Sequence, residues 1–136
     1  MAAISELIRL DSDQTLSFGD YTLGAKPKAE LNVDGKVYKV KTYQEITKLE
    51  CDEVFVYESV PGTAVTGFDK TEEGVTFSVE GPEDAQVTLE LEADTDYEIS
   101  INGKKAGDMK TNLGGKLSVS VELADADSVS IRVTRK

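Results

Sequence analysis

LEADTDYEISINGK, residues 91–104, is the stretch that decides the fold of this chain. From Tyr97 to Ile101, apolar and polar residues alternate, which is the pattern of a strand with one face in a core and one face in water. Asn102-Gly103 follows directly and favours a tight hairpin, because both residues tolerate a positive φ angle. The stretch therefore predicts a strand that turns back on itself within an antiparallel sheet.

The same alternation recurs before and after this hairpin. It is found at residues 75–79, 87–91, 117–123 and 129–133, with residues 64–68 as a less regular candidate strand. Alternating strands of this kind each have an apolar face that another element must cover. The segments therefore predict two packed antiparallel sheets, that is, a β-sandwich.

The first 60 residues are also rich in strand signals. Asp34-Gly35 is a second strong hairpin pair. Residues 53–60 (EVFVYESV) are apolar on both faces, which is typical of a central strand covered on both sides.

One short helix is predicted in this region, from Thr42 to Glu50. Thr42 and Glu45 have the spacing of a capping box, in which two side chains satisfy the free N–H groups of a helix start. In this interpretation both residues have structural roles.

Pro61-Gly62 marks the predicted boundary between two parts of the chain. The predicted fold class is all-β. A small β-rich N-terminal lobe with one short helix occupies residues 1–60, and an antiparallel β-sandwich domain occupies residues 61–136.

The net charge of −11 limits the partners that the chain can have. Residues 1–60 contain 7 Lys or Arg against 11 Asp or Glu, and residues 61–136 contain 8 against 15. Neither part is basic, so nucleic acid and anionic membranes are disfavoured as partners. No secretory signal and no apolar run long enough to span a bilayer are visible, which favours a cytoplasmic protein without membrane insertion.

The residue types exclude several kinds of catalysis. The chain has no histidine, so Ser-His-Asp and Cys-His mechanisms are excluded. Cys51 precedes two acidic residues, which disfavour its thiolate. Three glutamates, Glu90, Glu92 and Glu122, lie on polar strand faces, where a pair could approach the spacing used by glycosidases. A flat exposed sheet would not raise the pKa of such an acid, so no enzyme activity is predicted.

Acidic residues of the turns raise the question of calcium. Glu92, Asp94 and Asp96 could bind Ca²⁺, as could Asp125 and Asp127. Calcium needs six to eight oxygen ligands, however, and the spacing of an EF-hand is absent. Acidic turn residues are more often simply solvated, so no metal and no cofactor is predicted.

Sugar-binding surfaces commonly present exposed aromatic rings. Tryptophan is absent, but Tyr21 and Tyr43 are surface candidates for stacking against a glycan. Tyr38 and Tyr57 lie in predicted strands and are expected to pack inside instead.

The C-terminal part resembles fibronectin-like sandwiches. The residues Leu91, Thr95 and Tyr97 occur at the spacing found there before a late strand, with Ala93 at a loop position that is usually proline. This resemblance implies that Tyr97 forms a tyrosine corner, with its hydroxyl bonded to nearby backbone.

Two further resemblances concern carbohydrate-active proteins. The runs YEISINGK (97–104) and TNLGGKLSVSVEL (111–123) are similar to an accessory β-sandwich of carbohydrate-active enzymes, over about 45 residues by eye. The phrases SFGDY (17–21) and VPGT (60–63) make the whole chain resemble short bacterial proteins labelled endosialidase.

The endosialidase label implies hydrolysis of sialic acid. Known sialidases use several arginines to clamp the substrate carboxylate, whereas this chain has only Arg9, Arg132 and Arg135. No residue of the sequence is therefore assigned a catalytic role.

These observations favour a non-catalytic β module with a structural or protein-interaction role. A carbohydrate-binding module is the first alternative, and a glycoside hydrolase is the second. The expected partner is another protein or a second copy of the chain, because the edges of a β-rich protein invite pairing.

Overall fold

The computed structural model describes residue 4 and residues 7–25, 28–124 and 128–136. Within this part of the chain the backbone forms strands and no helix. In chain order the strands are β1 Ile8–Leu10, β2 Leu16–Phe18, β3 Lys28–Val33, β4 Lys36–Thr42, β5 Thr47–Cys51, β6 Val54–Val60, β7 Ala64–Thr71, β8 Gly74–Glu80, β9 Ala85–Glu90, β10 Asp96–Ile101, β11 Lys104–Lys110, β12 Lys116–Val121 and β13 Val129–Arg135. No described residue belongs to a helix that could cross a membrane.

The strands form two antiparallel sheets. The seven-stranded sheet has the order β1-β2-β7-β8-β13-β10-β11, and the six-stranded sheet has the order β12-β9-β6-β5-β4-β3. One cluster of buried apolar side chains draws on both sheets, as expected when two amphipathic sheets cover each other. The prediction of an all-β, sandwich-like protein is therefore confirmed.

The predicted helix from Thr42 to Glu50 is wrong. Thr42 ends β4, and β5 begins at Thr47. The Thr42 hydroxyl does not cap a helix, because it is hydrogen-bonded to the Thr47 hydroxyl at 2.8 Å. The Glu45 carboxylate accepts a hydrogen bond from the Tyr43 hydroxyl at 2.7 Å. The two residues of the apparent capping box thus have partners that a strand–turn–strand arrangement supplies.

Strands from both sides of the predicted boundary at Pro61 share each sheet. β2 pairs with β7 in the seven-stranded sheet, and β6 pairs with β9 in the six-stranded sheet. Residues 1–60 and residues 61–136 consequently contribute side chains to one common core.

Aromatic contacts join the two sheets at the centre of the core. Tyr57 of β6 packs edge-on against Phe18, Phe77 and Phe68 of the other sheet, at ring-centroid distances of 5.2, 5.7 and 6.2 Å. Such pairs contribute about 0.5–1.5 kcal/mol each beyond the burial of their area. The sheets are therefore held most firmly along β2, β6, β7 and β8.

Both predicted tight hairpins are present. Asn102 and Gly103 join β10 to β11 with φ angles of 51° and 81°, and Asp34 and Gly35 join β3 to β4 with 50° and 82°. Positive φ at both central residues gives a turn whose twist matches that of the strands.

Tyr97 makes the hydrogen bond that its position in the sequence predicts. Its ring is 2% exposed, and its hydroxyl accepts a hydrogen bond from the backbone N–H of Glu92 at 3.1 Å. The bond fixes the loop that precedes β10 against the strand itself.

The turns of the sandwich lie at two opposite ends. Turns at residues 19–25, 43–46, 61–63, 81–84 and 102–103 follow even-numbered strands and form one end, here named the Thr63 end. Turns at residues 11–15, 34–35, 52–53, 72–73, 91–95 and 111–115 follow odd-numbered strands and form the other, here named the Cys51 end. The two ends differ in how they are packed, and that difference locates the candidate site.

Candidate binding site

Tyr21 and Tyr43, the sequence-predicted ligand residues, both lie at the Thr63 end and are half-buried. Their loops are hydrogen-bonded: Asp20 N–H donates to the Thr42 hydroxyl at 2.8 Å, and the Gln44 and Leu23 backbones are joined at 3.0 Å. The structure thus places the two tyrosines on neighbouring loops.

The electrostatic surroundings of these tyrosines are acidic. Burial raises the pKa of Tyr21, and the nearby carboxylates of Glu80 and Asp20 raise it further. The hydrogen bond to Glu45 raises the pKa of Tyr43. Both hydroxyls therefore stay protonated at neutral pH.

A buried network of hydroxyl groups lies beneath these loops. The Thr63 hydroxyl is hydrogen-bonded to Tyr57 Oη at 2.8 Å and to Ser59 Oγ at 2.7 Å. The Thr47 hydroxyl donates to the Thr63 carbonyl at 2.8 Å and accepts from the Thr63 N–H at 3.0 Å. Each of these side chains is completely buried. Their polar groups are used within the protein, as buried polar groups generally are.

Two turns of the Thr63 end, at residues 19–25 and 61–63, approach each other too closely to admit a ligand between them. A Cβ atom on Gly19 would lie 2.3 Å from the carbonyl oxygen of Thr63. Gly19 also has a φ of +102°, a region that other residues rarely adopt. This end of the sandwich is thus closed by backbone packing and by internal hydrogen bonds.

The Cys51 end contains a cleft of about 670 Å³ between the two sheets. Its walls include buried Leu16, Val56 and Phe68 at the bottom, with half-buried Tyr38 and Cys51 higher on the six-stranded sheet. Pockets that bind ligands have volumes of roughly 300–1,000 Å³ and mainly apolar walls. This cleft has the size of a binding site, and its lining combines buried apolar side chains with polar and charged ones.

Two apolar side chains extend the cleft towards solvent. Leu10, at the end of β1, is 39% exposed, and Leu91 lies half-buried in the loop before β10. An apolar surface that remains open to water is available to a partner, because covering it is favourable.

The rim of the cleft carries charges of both signs. Its basic residues are Lys36 and Lys70, and its acidic residues are Asp69, Glu72 and Glu92. A charged rim around an apolar centre is the usual arrangement of a protein interface.

Tyr38 and Cys51 are opposite each other on β4 and β5. Burial raises the pKa of Tyr38, with further contributions from Cys51, Asp52 and Asp34. The Tyr38 hydroxyl is therefore a neutral hydrogen-bond donor within the cleft. Cys51 is half-buried and forms no disulfide.

The calcium candidates Glu92 and Asp94 are ion-paired with basic side chains. Asp94 forms an ion pair with Lys110 at 3.3 Å, and Glu92 forms one with Arg135 at 3.6 Å. Within residues 7–25, 28–124 and 128–136, no three acidic or thiol side chains are grouped as metal ligands. The alternative candidates Asp125 and Asp127 lie outside the described residues.

The carboxylates considered for glycosidase chemistry are dispersed. Glu90 ends β9 opposite Lys116 at the Cys51 end, whereas Glu122 follows β12 at the Thr63 end. Six residues of strand separate them, a distance of about 20 Å. Glu122 therefore cannot form a catalytic pair with Glu90.

The three arginines are dispersed as well. Arg9 lies on β1 and is ion-paired with Asp11 at 2.8 Å. Arg132 and Arg135 lie on β13, which β2, β7 and β8 separate from β1. Four strand spacings correspond to about 19 Å, so the arginines form no common clamp.

Sequence reasoning missed the cleft. It is lined by residues from strands β1 to β7 and from β10, and most of them occupy ordinary strand positions in the sequence. Cys51 and the acidic pair after it were the one visible irregularity in that region.

Comparison of the chain with family models, with curated proteins and with solved structures finds no match.

Proposed function

We propose that this protein is a non-catalytic interaction module that binds an apolar segment of a protein partner in the cleft at the Cys51 end. The observation that carries the proposal is the open cleft of about 670 Å³ with an apolar floor. A partner above this floor would cover the exposed part of Leu10 and the half-buried Leu91 and Tyr38, and removing such apolar surface from water drives most protein association.

A peptide suits this cleft better than a strongly charged ligand. The apolar walls would take its side chains, while the mixed charges of the rim and the Tyr38 hydroxyl would meet its polar backbone. The net charge of −11 would repel a highly acidic ligand.

A random peptide library displayed on phage tests the proposal, with Cys51→Phe as the counter-selected variant. The added ring would fill the cleft beside Tyr38. We expect peptides with two or more large apolar residues, whose binding weakens at least about tenfold in Cys51→Phe, the equivalent of about 1.4 kcal/mol.

Val60→Phe is the matched control, because it adds the same ring at a side chain that is 54% exposed, at the Thr63 end of β6 and away from the cleft. Leu10→Asp, at the exposed rim, repeats the test if Cys51→Phe fails to fold. Bound peptide should also slow the alkylation of Cys51. A library that yields no peptides sensitive to either cleft variant would contradict the proposal.

The second candidate is a carbohydrate-binding module, which the placement of Tyr21 and Tyr43 on neighbouring loops favours. A glycan array probed with the wild-type protein and with a Tyr21→Ala/Tyr43→Ala variant tests it. Hits lost in the double variant would support a glycan site at the Thr63 end, whereas a blank array would remove it.

We also infer that the C-terminal strands belong to the immunoglobulin or fibronectin class of sandwiches. The hydrogen bond from Glu92 N–H to the Tyr97 hydroxyl supports this, because a tyrosine corner is typical of that class. A Tyr97→Phe variant should lose about 1–3 kcal/mol of unfolding free energy by leaving that N–H unsatisfied. No measurable loss would remove the support.

A further inference from the structure

The edges of the two sheets differ in their protection. β1 has only three residues and lies against β3, so these two edges cover each other. β11 is exposed along its length, is rich in lysine and pairs with β10 through an irregular register. Shortness, charge and irregularity are the devices by which native proteins block edge-to-edge pairing.

Strand β12 is the edge that lacks these devices among the described strands. Its six residues pair with β9 in an unbroken register. After Lys116 it contains only serine and small to medium apolar residues, in the order Leu-Ser-Val-Ser-Val. This edge is a regular template for a further strand.

The phase of hydrogen bonding shows which groups of β12 face outward. The Leu91 N–H donates to the Gly115 carbonyl at 2.7 Å, so odd-numbered residues of β12 bond to β9 and even-numbered residues point the other way. The hydrogen bonds of Lys116 confirm that even-numbered residues point away from β9. Its N–H donates to Asn112 Oδ1 at 2.9 Å, and its carbonyl accepts from the Asn112 N–H at 3.1 Å. The outward groups that remain are those of Ser118 and Ser120.

A second copy of the chain fits this edge in one favoured register. With Val119 opposite Val119 of the second copy, Ser118 lies opposite Ser120, and the outward N–H and C=O groups of both pair reciprocally. The same register places Lys116 of each copy opposite Glu122 of the other copy. The twofold axis therefore gives two such charge pairs. Centring on Ser118 instead would need the backbone of Lys116, which Asn112 already occupies. Centring on Ser120 would place Lys116 opposite Ala124 and so lose both charge pairs.

We propose that this chain forms a twofold-symmetric dimer in which β12 pairs with β12 of a second copy, so that two six-stranded sheets become one continuous sheet. The complementary Lys116 and Glu122 charges select a copy of this chain over an unrelated strand. No residue of β12 lines the cleft, which lies between the two sheets and on the β12 side includes only Leu91 and Glu92, after β9, and Tyr97 of β10. The dimer therefore leaves both clefts open and does not depend on the proposed cleft function.

Sedimentation velocity of the full chain over a wide range of concentrations tests the proposal. We expect a monomer–dimer equilibrium that shifts to dimer as the concentration rises. Ser118→Pro should abolish the dimer, because proline removes the outward N–H while the bonds to β9 come from the odd-numbered residues. A monomer at every concentration, or a dimer unaffected by Ser118→Pro, would overturn the proposal.

A charge swap tests the register independently. Lys116→Glu and Glu122→Lys should each weaken the dimer about tenfold, because each places like charges opposite one another at two symmetric positions. The double variant should recover the wild-type dissociation constant, and Lys104→Glu on β11 should leave it unchanged.

Unfolding must be measured for each charge variant, since the Lys116 ammonium also lies 4.8 Å from the centroid of the Phe55 ring. A double variant as weak as the single ones would overturn this register. Loss of the dimer in Leu10→Asp instead would place the contact in the cleft and overturn the proposal as well.

Discussion

The two ends of the sandwich are built from similar turns but packed in different ways. At the Thr63 end, hydroxyl groups from three strands and one loop are hydrogen-bonded beneath loops that touch backbone to backbone. At the Cys51 end, short turns leave a cleft of about 670 Å³ between the sheets. The protein therefore combines a closely packed, hydrogen-bonded end with an end that leaves apolar surface accessible to solvent.

The difference shows that one fold can contain two kinds of packing. A buried polar network stabilises only when every member has its partner, which fixes the geometry of the Thr63 end closely. The apolar residues of the Cys51 end tolerate change better, because hydrophobic contacts have no direction. Substitutions should therefore lower the unfolding free energy more at the Thr63 end than at the Cys51 end.

The largest contrast is expected between two glycines with positive φ. Gly19→Ala should lower the unfolding free energy by more than about 3 kcal/mol, because it adds a clash with the Thr63 carbonyl to the backbone strain. Gly35→Ala, at the Cys51 end, has open space around its Cβ and should cost only about 1–2 kcal/mol. Urea unfolding of both variants makes the comparison, and equal losses would show that the Thr63 end is not closely packed.

Removal of the central hydroxyl should have the next largest effect. Thr63→Val keeps the shape but deprives Tyr57 and Ser59 of a partner, at a cost of about 2–3 kcal/mol. The control is Thr71→Val, at the exposed end of β7, which removes only an exposed hydrogen bond from the Glu73 N–H at 3.2 Å and should change stability by less than about 0.5 kcal/mol. Thermal or urea unfolding is the measurement, and a neutral Thr63→Val would contradict the role of the network.

Alkaline pH should weaken the Thr63 end through Tyr57. Burial raises the pKa of Tyr57 from its ordinary 10.0 to about 12. The folded protein thus keeps a proton that the unfolded chain loses, so stability is unaffected below pH 10 and falls between about pH 10 and 12, by about 2–3 kcal/mol in total.

The alkaline loss should be smaller in Tyr57→Phe, which cannot ionise at this position. Tyr38→Phe, at a half-buried side chain of the Cys51 end, should reduce the alkaline loss of stability less than Tyr57→Phe does. Urea unfolding at several alkaline pH values, with tyrosinate absorbance as a second signal, checks this. Identical pH profiles for wild type and Tyr57→Phe would refute it.

The smallest effect is expected at a turn of the Cys51 end. Asp52 and Glu53 join β5 to β6 with φ angles of 50° and 69°, although neither is glycine. Glu53→Gly should relieve this strain and raise the unfolding free energy by up to about 1 kcal/mol. Asp94→Gly, at another positive φ of 52°, is a parallel test. Destabilisation of Glu53→Gly would mean that the glutamate side chain makes a contact worth more than the strain.

Local signals predicted the hairpins but not every turn. Asn102-Gly103 and Asp34-Gly35 were predicted because the residue types themselves favour positive φ. The turn at Asp52-Glu53 has the same shape without glycine, so the sequence pattern did not reveal it. Register with the neighbouring strands, a tertiary effect, imposes that turn.

The helix error and the cleft have the same physical origin. Thr42 and Glu45 look like a helix cap, yet their partners in the structure are the side chains of Thr47 and Tyr43. The cleft depends on the distance between the two sheets, and no single residue of either sheet determines that distance. Tyr21 and Tyr43 could be selected as surface residues, but the cleft became visible only with the sheets assembled.

The place of β13 has a consequence for the order in which the protein assembles. β13 lies between β8 and β10 and, among the described strands, it alone joins the β10–β11 hairpin to the rest of the seven-stranded sheet. During synthesis that hairpin therefore cannot pair with the rest of the sheet until Val129–Arg135 has left the ribosome. Pairing over such sequence distances is slow, in the range of milliseconds to seconds for β proteins, so the emerging chain exposes the edges of β8 and β10 until β13 is inserted.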